Sequence, residues 1–290
     1  MKRSEFIKTL GAMGVGLMGL DQLLKAVAHL PQTEAPMPAL FVGHGSPMNI
    51  IADNPFTQAL KAWGPAIPRP KAILVISAHW LTRGSYVTAA AKPATIHDFF
   101  GFPDELYQIT YPAPGSPTAA KLTAETLARY EGMVDHDRGI DHGAWSVLHH
   151  MYPAADIPVL QLSIDRSRPL SELHGIGRTL RSLRAKGILI IGSGNITHNL
   201  SKMDPDENAP VVEWAEEFDI KVKNFLERHD DKALIKYTSW GQISELAHPS
   251  NDHFLPLLYT VGLRGENEEL KFTHEGIVHG TVSMRCLQIG

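Results

Sequence analysis

The chain has 290 residues, of which 43% are hydrophobic and 20% are charged, a balance typical of a globular protein rather than a disordered or fibrous one. Its 27 Lys and Arg residues against 31 Asp and Glu residues give a net charge of −4, so no basic surface for a nucleic-acid partner is predicted. The single cysteine excludes an intramolecular disulfide and a cysteine-based zinc site. With 15 histidines, any bound metal would be held through imidazole.

The first 37 residues are predicted to precede the folded domain, as a signal-like segment and a Pro-rich linker. A basic head at residues 2–8 comes before an apolar run over residues 9–20 and a small-residue site at residues 26–28. The head is similar to a twin-arginine export signal with Ser4 at the place of the second arginine. The pattern predicts export to the periplasm, and the alternative is an amphipathic helix on a cytoplasmic protein. The apolar run is too short for a stable membrane span, which needs about 20 residues.

The rest of the chain alternates between predicted strands and helices. Short apolar runs predict buried strands over residues 39–42, 72–77, 158–164 and 187–191, with further strand over 270–289. Apolar residues at steps of three and four predict helices over residues 116–130, 169–186 and 211–228. This alternation predicts a single α/β domain over residues 38–290, with a largely parallel or mixed central sheet flanked by helices.

Four histidines are candidate metal ligands because of their position relative to these strands. His44 directly follows the first strand, His79 is predicted to cap the second, and His198 follows the fourth. His253 lies in a polar turn. Ligand crevices of open α/β sheets form at the carboxyl ends of the strands, so we expect a metal site there. An imidazole-rich site suits Zn, Fe, Cu or Ni.

A fifth histidine has two interpretations. His142 follows Asp141 at the predicted start of a helix. It is either a substrate-facing hydrogen-bond donor or a residue of the helix cap, and the sequence does not favour one of these.

Six segments together are similar to one known family. They are PALFVGHGSPM at residues 38–48, SAHW at 77–80, YPAPG at 111–115, DHGAW at 141–145, GNITHNL at 194–200 and HFLPLLY at 253–259. In combination they resemble the 4,5-DOPA dioxygenase extradiol family, which belongs to the class III ring-cleaving dioxygenases. The resemblance extends from residue 38 to residue 290.

This resemblance implies a mononuclear non-haem Fe(II) site that opens a catechol such as DOPA beside its two hydroxyl groups, with O2 as the second substrate. By motif, His44, His79 and His253 are implied as metal ligands. His198 is implied either as a fourth ligand or as the acid–base residue, with His142 as a substrate-side donor. Class III relatives generally use two histidines and a glutamate, whereas the third position here is a histidine. Neutral ligands leave the full charge on the metal, which favours a catecholate and makes Zn(II) a natural occupant on isolation.

Four other side chains near these motifs are candidates for orienting the histidines or for lining the substrate pocket. Asp141 and Asp252, each next to a site histidine in sequence, are candidates for orienting the imidazole rings. Trp80 and Trp145 are candidates for lining an aromatic pocket, with a plain core position as the alternative.

Two other functions stay open at this point. A zinc-dependent hydrolase would use the same imidazoles to activate water. A non-catalytic protein similar to the MEMO-like proteins would bind a metal or a protein partner on the same scaffold. The sequence predicts no oligomeric state.

Overall fold

The computed structural model describes residues 35–290. The signal-like segment predicted from the sequence falls within residues 1–34 and lies outside the described residues. Within the described part of the chain, no helix combines the length and apolar character needed to cross a membrane.

A mixed eight-stranded sheet forms the centre of the fold, in the order β4-β3-β5-β2-β6-β1-β10-β7. The four central strands β5, β2, β6 and β1 are parallel. At one edge β10 runs antiparallel to β1, and the outermost strand β7 runs antiparallel to β10. A separate two-stranded ribbon pairs β8 with β9. The strands are β1 (Ala39–Gly43), β2 (Ala72–Thr82), β3 (Tyr86–Thr88), β4 (Met133–Asp135), β5 (Val159–Asp165), β6 (Ile188–Gly194), β7 (Leu270–His274), β8 (Ile277–Val278), β9 (Val282–Ser283) and β10 (Cys286–Ile289).

Helices cover both faces of the sheet. They are α1 (Pro55–Ala66), α2 (Asp104–Gln108), α3 (Pro117–Thr126), α4 (His142–Met151), α5 (Leu170–Arg184), α6 (Glu213–Glu227), α7 (Asp231–Ile235), α8 (Gln242–Ala247) and α9 (Leu255–Gly262). Side chains of a strand alternate between its two faces. Accordingly, Leu74 and Ile76 of β2 pack in the core under α5 and α9, while Ile73 and Val75 pack in the core under α1 and α4.

The predicted architecture is confirmed: a single α/β domain with a mixed central sheet flanked by helices. The four predicted apolar runs are strands β1, β2, β5 and β6, and the three predicted helices contain α3, α5 and α6. The C-terminal strand region divides into four short strands, β7 to β10. The parallel strands β1 and β6 are paired along their whole common length, from Ala39 opposite Ile190 to Gly43 opposite Gly194. Their carboxyl ends therefore reach the same edge of the sheet.

Candidate metal centre

Three histidines meet at the carboxyl edge of the sheet. One ring nitrogen from each of His44, His79 and His253 lies within 4.8 Å of the other two. The Nε2 atoms of His44 and His79 are 3.1 Å apart. Two nitrogens bound to one tetrahedral Zn(II) would be about 3.3 Å apart, so the spacing of these two rings already fits a common metal ion.

The His44 ring is held in one tautomer by its neighbours. His44 directly follows β1, and its Nδ1 lies 2.9 Å from the Ser193 hydroxyl on the adjacent strand β6. That hydroxyl donates its own proton to the carbonyl oxygen of Gly143, so it must accept from His44 Nδ1. The proton of the neutral ring is therefore on Nδ1, which leaves the Nε2 lone pair for a metal. Gly45, with a φ of 63°, makes the tight turn that follows.

His79 lies inside β2 rather than at its end, so the prediction that it caps the strand is wrong. The pairing of β2 with β5 is irregular between Ile76 and Leu81, and the strand continues to Thr82. Irregular pairing of this kind turns side chains away from the regular alternation and is frequent beside active sites. It directs the His79 ring towards His44. The Nδ1 atom of His79 faces Asp98 Oδ2 at 3.6 Å.

His253 is held in place by a carboxylate and by the end of β6. Its Nδ1 donates to Asp252 Oδ2 at 2.8 Å, which leaves Nε2 as the nitrogen with a free lone pair. Its carbonyl oxygen accepts from the backbone N–H of Asn195 at 2.9 Å. A Cβ atom at Gly194 would lie only 2.1 Å from this carbonyl oxygen, so glycine is required there. The expectation that Asp252 orients a site histidine agrees with this contact.

His142 begins helix α4 and lies beside the cluster. Its ring centroid is 4.0 Å from that of His79. Asp98 Oδ1 accepts from both the backbone N–H and the Nδ1 of His142, each at 2.9 Å. A Cβ atom at Gly143 would lie 2.5 Å from the Ser77 hydroxyl and 2.8 Å from the His79 ring. The missing side chain at Gly143 lets α4 approach this closely.

His198 lies outside the three-nitrogen cluster. Its ring stacks on that of His253, with the centroids 3.5 Å apart and the planes inclined by 6°. An imidazole ligand holds its metal in the plane of the ring, so the stacked orientation favours a role for His198 other than that of a fourth ligand beside His253. His198 lines the cleft above the cluster.

Burial and neighbouring rings lower the pKa values of three histidines of the centre, His44, His79 and His198. Burial and the neighbouring imidazoles lower the pKa of His44 and of His79 well below the usual value. Burial and the neighbouring His253 lower the pKa of His198 to about 2. Burial alone would raise the pKa of Asp98, but the hydrogen bonds from His142 outweigh it and the pKa falls to about 2. Neutral imidazoles and an ionised carboxylate are the states that metal binding requires.

Asp141 does not orient a site histidine, so that expectation is wrong. Its carboxylate is the N-cap of α4 and accepts from the Ser77 hydroxyl and the Gln161 amide, each at 2.7 Å. An N-cap side chain turns back towards the free N–H groups of its helix, and the carboxylate that bonds the ring of His142 is that of Asp98. Burial raises the pKa of Asp141.

The two candidate tryptophans are core residues. Trp145 is fully buried and donates from Nε1 to the Ile96 carbonyl oxygen at 2.9 Å, and Trp80 packs against the Arg138 guanidinium. Neither lines the cleft. Its aromatic wall consists of Phe99, Phe100 and Phe102.

The cleft in front of the histidines has a volume of about 680 Å³, within the usual size of small-molecule sites. The sequence analysis did not identify Asp98, Ser193 or the three phenylalanines as parts of this site. The only available signal was the segment Ile96-His97-Asp98-Phe99-Phe100, which combines a histidine, an acid and two aromatics in a stretch without helical or strand periodicity.

Comparisons with known proteins agree with this fold. The family model described as the catalytic LigB subunit of aromatic ring-opening dioxygenase matches residues 37–284. The chain therefore belongs to the LigB family, and its class is that of the metal-using dioxygenases, a class of oxidoreductases.

Relatives with assigned names support the same placement. A protein of Escherichia coli K12 named 4,5-DOPA dioxygenase extradiol is 45% identical over 261 residues, which is 88% of this chain and 95% of the relative. A Beta vulgaris protein of the same name is 40% identical, over 84% of this chain and 92% of the relative. A crystal structure of an uncharacterized Escherichia coli K12 protein has a TM-score of 0.77 at 41% identity and covers 88% of this chain and 100% of that one.

Proposed function

We propose that the protein is an extradiol dioxygenase that opens the ring of a catechol such as DOPA beside its two hydroxyl groups, with O2 as the oxidant. The observation that carries the proposal is the cluster of His44, His79 and His253 in a chain of a ring-opening dioxygenase family. The relatives named 4,5-DOPA dioxygenase extradiol support the class of substrate.

The three clustered histidines are proposed to hold one metal ion, Fe(II) for activity and Zn(II) as the occupant after isolation. Imidazole nitrogen suits both ions, and the 3.1 Å between His44 Nε2 and His79 Nε2 fits a shared ion. When bound there, Fe(II) supplies the path for electrons from the catechol to O2.

His198 is proposed to accept a proton from a catechol hydroxyl group. Its ring lines the cleft and has no hydrogen-bond partner among residues 35–290, so a ring nitrogen is free for the substrate. The stacked orientation on His253 favours this role over that of a fourth ligand. His142 is proposed as the substrate-side donor, because its ring lines the cleft beside His79 and is held in place by the Asp98 carboxylate at Nδ1.

The test is reconstitution with Fe(II) without oxygen, followed by addition of a panel of catechols in air. Uptake of O2 and a yellow ring-opened product are expected. The absence of both from protein with a full equivalent of Fe(II) would overturn the proposal.

Two variants separate the roles of the histidines. His44→Ala is expected to lose the metal, whereas His198→Asn is expected to keep it and to lose about 10²- to 10⁴-fold in kcat. His174→Asn is the control, since His174 pairs with Asp231 at 2.8 Å away from the cleft. Loss of metal from His198→Asn would assign His198 as a ligand instead.

Two further assays on the same protein test the other two functions. Turnover of an ester or amide with Zn(II), independent of oxygen, would identify a zinc-dependent hydrolase. Metal-dependent capture of a peptide without turnover would identify a MEMO-like binding protein.

Residues 1–37 are proposed as a signal-like segment and linker, and residues 38–290 as the catalytic domain. The composition of the N-terminal segment supports export to the periplasm. Cell fractionation and N-terminal sequencing of the mature protein test this. Full-length protein in the cytoplasm would contradict it.

A further inference from the structure

The two most exposed large hydrophobic side chains of the described residues lie at the same cleft. Phe100 is 90% exposed and Leu200 is 63% exposed, and both line the space in front of the histidines. Met203 lines it as well and is 37% exposed. Exposed apolar side chains gathered at one groove mark a surface that is covered when a ligand binds. Phe100, Leu200 and Met203 are called the apolar mouth below.

The apolar mouth is attached directly to residues of the metal centre. Phe100 lies two residues after Asp98, whose carboxylate is fixed by the hydrogen bonds from His142. Leu200 lies two residues after His198, and the intervening Asn199 donates from its side chain to the Leu246 carbonyl oxygen at 2.7 Å. The backbone on both sides is therefore anchored, and the exposed side chains are presented at a set distance from the metal centre.

The charged residues next to the mouth are mainly acidic, and the exposed Lys202, which lies between Leu200 and Met203, does not line the cleft. The exposed residues Asp204, Asp206 and Glu207 follow Met203. Backbone hydrogen bonds between Asp204 and Glu207 and the cleft residue His279 hold this acidic segment at the rim, with N–O distances of 3.0 and 2.9 Å. Among the described residues that line the cleft there is no lysine or arginine. A carboxylate placed here would lose water without gaining a cationic partner.

We propose that the apolar mouth binds the ring substituent of the catechol and selects an uncharged, apolar substituent over one that carries a carboxylate. This inference rests on the proposed function and narrows its substrate class. The catechol oxygens are directed to the histidines at the inner end of the cleft, and the substituent covers Phe100 and Leu200. An alkylcatechol fits this arrangement better than an amino acid such as DOPA.

The first test compares kcat/KM of the Fe(II)-loaded enzyme for catechol, 4-propylcatechol and L-DOPA. Burial of one methylene group is worth about a fourfold change in binding, so 4-propylcatechol is expected to exceed L-DOPA by on the order of tenfold. In Phe100→Ala and Leu200→Ala the ratio of 4-propylcatechol to catechol is expected to fall several-fold. Ile220→Ala is the matched control, because Ile220 is 46% exposed on α6 and does not line the cleft.

The second test adds a cation to the mouth. Leu200→Arg is expected to raise kcat/KM for L-DOPA and lower that for 4-propylcatechol, whereas Ile220→Arg leaves their ratio unchanged. Binding can also be ranked without turnover. Catechol, 4-propylcatechol and L-DOPA displace 4-nitrocatechol from the Zn(II)-loaded protein, the absorbance of 4-nitrocatechol reports the displacement, and the same order of affinities is expected.

The outcomes distinguish a failure of the substituent selectivity from a failure of the proposed dioxygenase activity. If catechol is cleaved but L-DOPA is used as well as 4-propylcatechol, the selectivity inference is wrong and the dioxygenase proposal stands. An unchanged substrate ratio in both alanine variants would also overturn the inference. If no catechol is cleaved or bound, the proposed function fails, and the inference fails with it.

Discussion

Replacement of Asp252 by asparagine is expected to weaken Zn(II) binding about 10- to 100-fold, which equals about 1.4 to 2.8 kcal/mol. Asp252 Oδ2 accepts the Nδ1 proton of His253 at 2.8 Å. Burial alone would raise the pKa of Asp252, but the hydrogen bond from His253 outweighs it and lowers the pKa. The carboxylate is therefore ionised at working pH, and asparagine removes a full charge beside the proposed ligand His253. Because the contact is short and the His253 side chain is 5% exposed, we expect the loss of Zn(II) affinity to lie in the upper half of this range.

The assay is anaerobic titration of the metal-free protein with Zn(II) against a chromophoric chelator. Asp231→Asn is the matched control, since Asp231 accepts from His174 Nε2 at the same distance of 2.8 Å but away from the cleft. Both variants are expected to lose a similar amount of thermal stability, and only Asp252→Asn is expected to lose metal affinity. Wild-type affinity in folded Asp252→Asn would refute the reasoning that this carboxylate supports a ligand.

Three further predictions concern the glycine beside the centre, a buried histidine and a buried ion pair. Gly143→Ala is expected to weaken Zn(II) binding, because the new Cβ would lie 2.8 Å from the His79 ring. Burial lowers the pKa of His248 to about 4 from about 6.5 in the unfolded chain. As the pH falls below about 6.5, the unfolded chain binds a proton at His248 whereas the folded protein does not. The free energy of unfolding therefore has its full value above the unfolded pKa and falls as the pH falls towards 4. Between about pH 7.5 and about pH 5.5, denaturant titrations should show the stability of the wild type dropping by about 1.4 kcal/mol more than that of His248→Gln. Arg184→Met should destabilise the fold by about 3 kcal/mol in the same titrations, because Arg184 is 1% exposed and its Nη1 bonds Glu268 at 2.7 Å.

Each of these predictions has a control or a contrary outcome. Gly175→Ala, in helix α5 and away from the cleft, should leave Zn(II) affinity unchanged, and an equal loss in both glycine variants would remove the steric argument. Parallel pH curves for the wild type and His248→Gln would show that His248 does not titrate differently on folding. Lys61→Met breaks a 3.0 Å pair with Asp53 that is 50% and 70% exposed, so it should cost less than about 1 kcal/mol.

The strand pattern predicted the position of His44 because the apolar run and the strand end at the same residue in β1. The apolar run ends at Gly43, and so does the pairing with β6. In β2 the apolar run and the strand end at different residues. The apolar run ends at Ser77, but the backbone continues as strand to Thr82 through an irregular stretch. Apolar patterns report which side chains are buried and not where backbone pairing stops, so His79 was assigned to the wrong side of the strand end.

Asp98 could not be found from the sequence because its contacts are long-range. It lies 44 residues from His142, in a segment without periodicity, and the neighbouring histidine and aromatics do not indicate which group its carboxylate contacts. Ser193 is 149 residues from His44 and sits within an ordinary buried strand. Asp141 was misassigned for the opposite reason, since adjacency in sequence does not imply that two side chains at a helix start face the same group. The place of His44 was predictable from the strand pattern and that of His253 from the resemblance, whereas the supporting shell of these histidines depends on tertiary contacts.

This supporting shell changes the expected charge of the centre. A ligand set of neutral imidazoles leaves two positive charges on a bound divalent ion, where relatives with a glutamate ligand would leave one. Here the carboxylate of Asp98 faces His79 Nδ1 at 3.6 Å and that of Asp252 bonds His253 Nδ1 at 2.8 Å. Two negative charges therefore stand one imidazole away from the cluster. With a divalent ion bound, these carboxylates would raise the basicity of the proposed ligands and would offset the charge of the ion through the rings.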